Sequence, residues 1–247
     1  MVDWDRGSYE ETAEELAPAA AHVVQRAGIE PGQTVLDLGT GTGNAAVLAA
    51  RAGAEVTAVD PSPRLLDVAR QRVGQGEFVV AKAEELPFED RSFDRVISMF
   101  AVIFSHEPER AAKEILRVTR GKALITAWES TGPLNDALGI LGRATNEAAQ
   151  TPPRRFDWGN PDKVKDLFGD VGVERATLEF QIPSAEAYLQ RFESRHPAGM
   201  LFKDVLTRAG TYEDVRAQAK AALGGDDGPL DLASSYFIFT IEPHAAG

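Results

Sequence analysis

No cysteine occurs in the 247 residues, which removes disulfides, thiolate metal sites and cysteine nucleophiles together. Basic residues are outnumbered, 26 against 38 acidic ones, for a net charge of −12 spread along the chain. That balance disfavours nucleic acid or an anionic membrane as the main partner, because both select basic faces. Long apolar runs are missing too: the longest, Val96 to Phe104 ("VISMFAVIF"), is far too short to cross a bilayer. The opening "MVDWDRGSYEETAEEL" is acidic and lacks the apolar segment of a signal peptide. A soluble, cytoplasmic protein is expected. Lys and Arg are also absent from Pro31 to Ala50, around the glycine-rich stretch "VLDLGTGTGN". A phosphate cradle with no cation and a carboxylate at its threshold would be unusual.

What is present is a rhythm. "SYEETAEELAPAAAHVVQRAG" has helical periodicity and ends at Gly28. Then "TVLDL", "EVTAVD", "EFVVAK", "FDRVISMF" and "KALITAW" read as strands. Between them lie "NAAVLAARAG", "SPRLLDVARQRVG" with Ser62 as N-cap and Pro63 following, and "PERAAKEILRVTRG" as helices. Strands alternating with helices imply right-handed crossovers and a parallel sheet covered on both faces, a three-layer α/β/α sandwich. After Trp128 the pattern loosens into the helix "GPLNDALGILGRATNEAAQ", the loop "TPPRRFDWGN" and a helix capped by Asn160 and Pro161. The strand "VERATLEFQI", the helix "SAEAYLQRFESR", a capping box from Thr211 to Asp214 and the last strand "SSYFIFTIE" complete it. One domain over 1–247 is expected. Residues from about 30 to 128 would form its ligand-binding half, and those from about 129 to 231 a helical cover.

Ligands of open α/β sheets sit beyond the carboxyl ends of the strands, near the first one. Gly39, Gly41 and Gly43 fall there, and Asp60 closes the second strand 21 residues after Gly39, the spacing of a carboxylate that receives ribose hydroxyls. Dinucleotides and S-adenosylmethionine both fit this much. The spacing is GxGxG; position 44 is Asn, so GxGxxG fails. Asp37 discriminates further. A phosphate charge about 6 Å from it would be repelled by about 3 kcal/mol at an effective dielectric near 20, whereas an ammonium or sulfonium would be attracted.

"VLDLGTGTGNAAVLAARAGAEVTAVDPSPRLLDVARQR", "AEELPFEDRSFDRVISMFAVIF", "PERAAKEILRVTRG" and "ALITAW", over residues 30 to 128, resemble class I S-adenosylmethionine-dependent methyltransferases of the ubiquinone/menaquinone-biosynthesis type. The resemblance implies a Rossmann-like, seven-stranded, mostly parallel sheet with an antiparallel last strand. It implies S-adenosyl-L-methionine as cofactor, with S-adenosyl-L-homocysteine as product, and methyl transfer to a small, apolar acceptor. Asp37 would hold the methionine ammonium, Gly39, Thr40, Gly41 and Gly43 the loop, and Asp60 the ribose. Pro61, Ala83 and Glu84 would border the base, and Met99 and Phe100 would pass beneath the methionine. Lys82 departs from the family, which has Asp there to accept from the adenine amino group.

Of the four histidines, His106, just beyond the fourth strand, is the candidate general base; His196 is a second, and His22 and His244 have no assigned role. Phe104, Trp128, Phe156, Trp158, Tyr188 and Phe192 are candidates for the acceptor pocket. Trp4 and Tyr9 could help an N-terminal helix close over the cofactor. No metal cluster is visible. An NAD(P)-dependent oxidoreductase lacks its glycine pattern here, while a non-catalytic S-adenosylmethionine-binding protein remains an alternative.

Overall fold

In a computed structural model of the chain, residues 2–151, 156–225 and 228–243 are described; Asp226, Asp227, His244 and part of the 151–160 loop lie outside them. The β-branched runs become β1 (Thr34–Leu38), β2 (Glu55–Asp60), β3 (Glu77–Val80), β4 (Phe93–Met99), β5 (Thr119–Trp128), β6 (Val171–Ile182) and β7 (Leu230–Ile241). They form one sheet in the order β3-β2-β1-β4-β5-β7-β6. The first five strands run parallel, and β7 is antiparallel to both β5 and β6. Val35 and Leu36 are fully buried, as a central strand covered on both faces requires. Strand order reverses between β1 and β4, and the crevice beyond their carboxyl ends is where the glycine loop emerges.

The covering helices are α1 (Tyr9–Glu15), α2 (Ala17–Ala27), α3 (Asn44–Arg51), α4 (Pro63–Val73), α5 (Pro108–Val118), α6 (Pro133–Ala148), α7 (Pro161–Phe168), α8 (Ala185–Arg195), α9 (Pro197–Ala209) and α10 (Tyr212–Ala222). Ser62 caps α4 by accepting from Leu65 N–H, and Asn160 caps α7 by accepting from Asp162 and Lys163 N–H. One hydrophobic core lies along the sheet; a second, smaller one joins α6, α8, α9 and α10 to the ends of β6 and β7. Arg216 of α10 ties this second core together by pairing with Glu186 and the buried Glu193 of α8. No helix among the described residues is long and apolar enough to cross a membrane.

Four local expectations need correction. The helix expected from Ser8 to Gly28 is two helices that part at Leu16. Pro18 lacks an N–H and its ring disfavours the carbonyl four residues back, so a new helix starts around it. The helix expected to run to Gly121 ends at Val118, because Thr119 already pairs with Phe93 in β5. Thr211 stands at the N-cap of α10 without a side-chain capping bond, so no capping box forms. Helix α9 was not anticipated, although His196-Pro197 opens it and Gly210, left-handed at φ +73°, closes it.

Candidate functional site

The glycine loop starts where β1 ends. The N–H groups of Gly39 and Thr40 both donate to the carbonyl of Val59, at 2.7 and 2.9 Å, which ties the loop to the end of β2. Gly39 has φ +71°, and a Cβ on it would lie 2.2 Å from the Cβ of Ala101, on the segment leaving β4. Gly39→Ala therefore meets both backbone strain and a clash. Each is worth about 1–3 kcal/mol, so a clear fall in melting temperature is expected. Adding Ala101→Gly should return only the steric part, as parallel thermal denaturation of the single and double variants would show. Gly43, left-handed at φ +86°, opens α3, and a Cβ there would press on the Ala69 backbone of α4 at 3.3 Å.

Two carboxylates sit under this loop. Asp37 is 2 % exposed; its Oδ2 accepts from Thr40 Oγ1 at 2.7 Å and from Ala46 N–H, in the first turn of α3, at 2.9 Å. Burial pushes its carboxyl up to about 6; the bonds from Thr40 and Ala46 oppose the rise, and the negative charge of Asp60 adds to it. Asp60 accepts from Gly41 N–H at Oδ2 and from Ser62 N–H at Oδ1, both at 2.9 Å. Burial raises its carboxyl too, against those two bonds and with Asp5 adding negative charge. Neither carboxylate forms an ion pair with any described residue. Two neighbouring buried anions without a cation are a costly arrangement that a positively charged ligand would relieve.

Beside them lies a narrow cleft of about 330 Å³, open mouth included. Asp37, Gly39, Thr40, Gly41 and Met99 line it, as do Thr42, Asn44, Ala45 and, from the N-terminal segment, Tyr9, Ala13 and Leu16. Sequence reading had not placed Thr42, Asn44, Ala45, Ala13 or Leu16 in the site. Asn44 carried a usable signal, since it follows the third glycine at the start of a helix. Its Nδ2 donates to the carbonyl of Ala13 at 2.5 Å, and its Oδ1 accepts from Arg72, which fixes the lining on both sides.

The remaining candidates scatter. Pro61 is exposed just past Asp60, and Ala83 and Glu84 are half-buried on the loop after β3. Glu84 Oε1 accepts from Ser105 Oγ at 2.6 Å and from His106 N–H at 3.1 Å. Burial alone would raise the Glu84 carboxyl, but these bonds hold it below the usual range. Lys82 is exposed. Phe100 does not line the cleft: at φ +52° its ring turns onto Trp128, stacked with centroids 4.1 Å apart, and its N–H donates to Thr126 Oγ1.

His106 is exposed and borders a depression with Glu107, Pro108, Glu109, Arg110 and Lys113, none of which lines the cleft. Its side chain is therefore poorly placed to take a proton there, and His106→Ala should leave turnover within about twofold of wild type in a steady-state assay. His196 is engaged: its Nδ1 accepts from Ala198 N–H at 3.1 Å to cap α9, which leaves the ring proton on Nε2. Burial drives its ionisation down to about 4, so it stays neutral at working pH.

The candidate acceptor aromatics form three groups instead of one pocket. Phe104 meets Trp4 at 4.8 Å, Trp4 meets His196, and His196 stacks on Phe192, which stacks on Tyr188. Trp128 belongs with Phe100, Tyr236 and Phe180 at the sheet end. Phe156 and Trp158 pack with Phe168 of α7. The first group reaches the cleft lining through Tyr9, whose ring lies 5.6 Å from both Trp4 and His196.

Residues 36–126 match the family model of a methyltransferase domain. An uncharacterised protein of Mycobacterium tuberculosis is 37 % identical over 186 residues, 71 % of this chain and 68 % of the relative. A demethylmenaquinone methyltransferase of Renibacterium salmoninarum is 42 % identical over 166 residues, 61 % of this chain and 70 % of that enzyme. Among solved structures, a candidate methyltransferase of Bacillus halodurans superposes with a TM-score of 0.63 at 20 % identity, covering 92 % of this chain and 99 % of that one.

Proposed function

The chain belongs to the class I S-adenosylmethionine-dependent methyltransferases of the ubiquinone/menaquinone type, and from that premise we propose that it methylates a small, apolar acceptor at the glycine-loop cleft. The observation that carries the site is the pair Asp37 and Asp60, both buried and with no cation paired to either among the described residues. A ligand that brings an ammonium and a sulfonium but no phosphate suits them, and a pyrophosphate does not.

In this reading Asp37 receives the methionine ammonium while it braces Thr40 and Ala46. Gly39, Thr40 and Gly41 of the lining let the cofactor approach the backbone, Gly43 holds the loop against α4, and Met99 lies beneath the methionine. Asp60 uses its remaining lone pairs for the ribose hydroxyls; each oxygen already accepts one backbone N–H and has room for one more bond. Pro61, Ala83 and Glu84 border the base. The cofactor supplies an electrophilic methyl group: the acceptor atom forms its bond to that carbon as the carbon–sulfur bond breaks, and sulfur keeps the electron pair. The protein's own work is alignment and exclusion of water, which can supply most of the acceleration without a dedicated base. The aromatic line from Phe104 through Trp4 and His196 to Tyr188 supports an apolar acceptor. A single domain acting in the cytoplasm on a small molecule, with no nucleic-acid partner, completes the proposal.

The test is turnover. The protein is incubated with methyl-labelled S-adenosylmethionine and the small-molecule fraction of a bacterial extract. Label in an organic-soluble product with matching release of S-adenosylhomocysteine is expected. Tight cofactor binding with no release of S-adenosylhomocysteine over that fraction would favour the non-catalytic binding protein instead.

A further inference from the structure

Residues 2–16 form a strap that lends Tyr9, Ala13 and Leu16 to the cleft lining and is anchored on both sides. Towards the glycine-loop half, Ser62 Oγ donates to Asp5 at 2.6 Å, and Arg64 pairs with Glu10 at 2.6 Å. Towards the helical cover, Arg6 pairs with Asp204 at 2.9 Å, Arg191 with Glu15 at 2.6 Å, and Arg195 with Glu11. Ser8 N–H donates to the Arg195 carbonyl at 2.9 Å. Gly7 permits that approach: its φ is +71°, and a Cβ on it would lie 2.1 Å from the Arg195 carbonyl oxygen.

Tyr9 is the strap residue that brings a hydrogen-bonding side chain into the cleft lining. Its ring passes 3.5 Å from where a Cβ of Gly41 would stand, and the Gly41 N–H is the one bound to Asp60. The Tyr9 hydroxyl has no hydrogen-bond partner among the described residues. Burial, and then the charge of Asp60, push its ionisation up to about 12, so it keeps its proton and can donate. Closure also leaves Glu10 Oε2 and Arg64 Nε and Nη2 buried without partners, a cost that water would remove if the strap opened. The closed strap therefore gains from its anchors and loses at its polar atoms, and a ligand beneath it can decide the balance.

We propose that Tyr9 is a cofactor-contacting residue: its hydroxyl donates to a ribose oxygen whose own hydroxyl donates to Asp60, so that the strap is held down by an occupied cleft. This rests on the methyltransferase reading of the cleft and extends it to the residue that closes it. Ribose hydroxyls suit the pairing because each offers one donor to the carboxylate and acceptor lone pairs to the phenol.

The experiment is a calorimetric cycle with wild type and Tyr9→Phe, each titrated with S-adenosylhomocysteine and with its 2′,3′-dideoxy analogue. With S-adenosylhomocysteine, Tyr9→Phe should bind about five- to tenfold more weakly, the worth of one hydrogen bond. With the dideoxy analogue the two proteins should bind alike. Equal affinity for S-adenosylhomocysteine, or a penalty that persists undiminished with the dideoxy analogue, would overturn the proposal. Trypsin cleavage after Arg6, read by mass, gives a second measure: S-adenosylhomocysteine should protect that bond in wild type more than in Tyr9→Phe, and equal protection would contradict strap closure through Tyr9. Failure of the wild type itself to bind S-adenosylhomocysteine would remove the methyltransferase reading first, and is visible without any variant.

Discussion

Asp37→Asn is expected to raise the melting temperature of the ligand-free protein while it weakens S-adenosylmethionine binding about ten- to a hundredfold. The carboxyl has its ionisation raised from 3.8 to about 6 in the fold, so the native state holds this proton more tightly than the unfolded chain does. A raised value means that the stability linked to this group is fully present below about pH 4 and is lost as pH rises through about 6. At pH 8 the accumulated penalty is about 3 kcal/mol, taking about 1.4 kcal/mol per pH unit. Asn is neutral and nearly isosteric, and its carbonyl oxygen can still accept from Thr40 Oγ1 and Ala46 N–H. Removing the penalty should therefore lift the melting temperature by several degrees at pH 8, at about 2–4 °C per kcal/mol for a chain of this size, and by almost nothing near pH 4. Binding moves the other way, because a charge-assisted bond to the ammonium becomes a neutral one. Thermal denaturation at the two pH values, with calorimetry near neutrality, checks both halves. A variant both less stable at pH 8 and unchanged in affinity would assign Asp37 to loop bracing alone.

Asp60→Ala is expected to abolish the thermal shift that S-adenosylhomocysteine produces and also to lower the melting temperature of the free protein. The substitution strands the N–H groups of Gly41 and Ser62, now bonded to the two carboxylate oxygens, at about 1–3 kcal/mol for each that water does not reach. It also removes both proposed ribose acceptors. The two aspartates thus differ in the sign of their effect on stability and agree in the sign on binding. That contrast follows from their partners: Asp37 braces with one oxygen and has a neutral substitute of the same shape, whereas Asp60 has both oxygens committed to backbone. A ligand-induced shift in Asp60→Ala as large as in wild type would remove the ribose assignment.

Where local chemistry decides, the chain could be read directly. The strands from β1 to β4 and the caps at Ser62 and Asn160 follow from β-branched runs, proline and hydrogen-bonding side chains in sequence, whereas the antiparallel final strand was implied by the family resemblance alone. Asp37 and Asp60 stood out because a carboxylate beside a glycine loop that lacks cations is chemically informative by itself, and the fold buries both under that loop. Tertiary contact decided the rest. The early start of β5 depends on pairing with Phe93, and no pattern within "RVTRGK" announces it. Aromatic candidates were chosen by type, yet three packing groups separate them, since each ring serves whichever core its element borders. His106 lies close in sequence to the end of β4, but the turn at Val102–Phe104 leads it to the surface. The sequence suggested a covering N-terminal helix through Trp4 and Tyr9, but nothing in it located the anchors of the strap. They join residues nearly two hundred positions apart, such as Arg6 with Asp204, and Glu11 and Glu15 supply the carboxylates of two others.

The central claim, that this cleft takes a phosphate-free, positively charged nucleoside, is tested most directly by titrating the wild-type protein with S-adenosylmethionine and with NADH under the same conditions. Saturable one-site binding of S-adenosylmethionine is predicted, weakening as pH falls below about 6 and Asp37 takes up its proton, with no heat of binding from NADH. Saturable NADH binding, or no binding of S-adenosylmethionine at neutral pH, would contradict it.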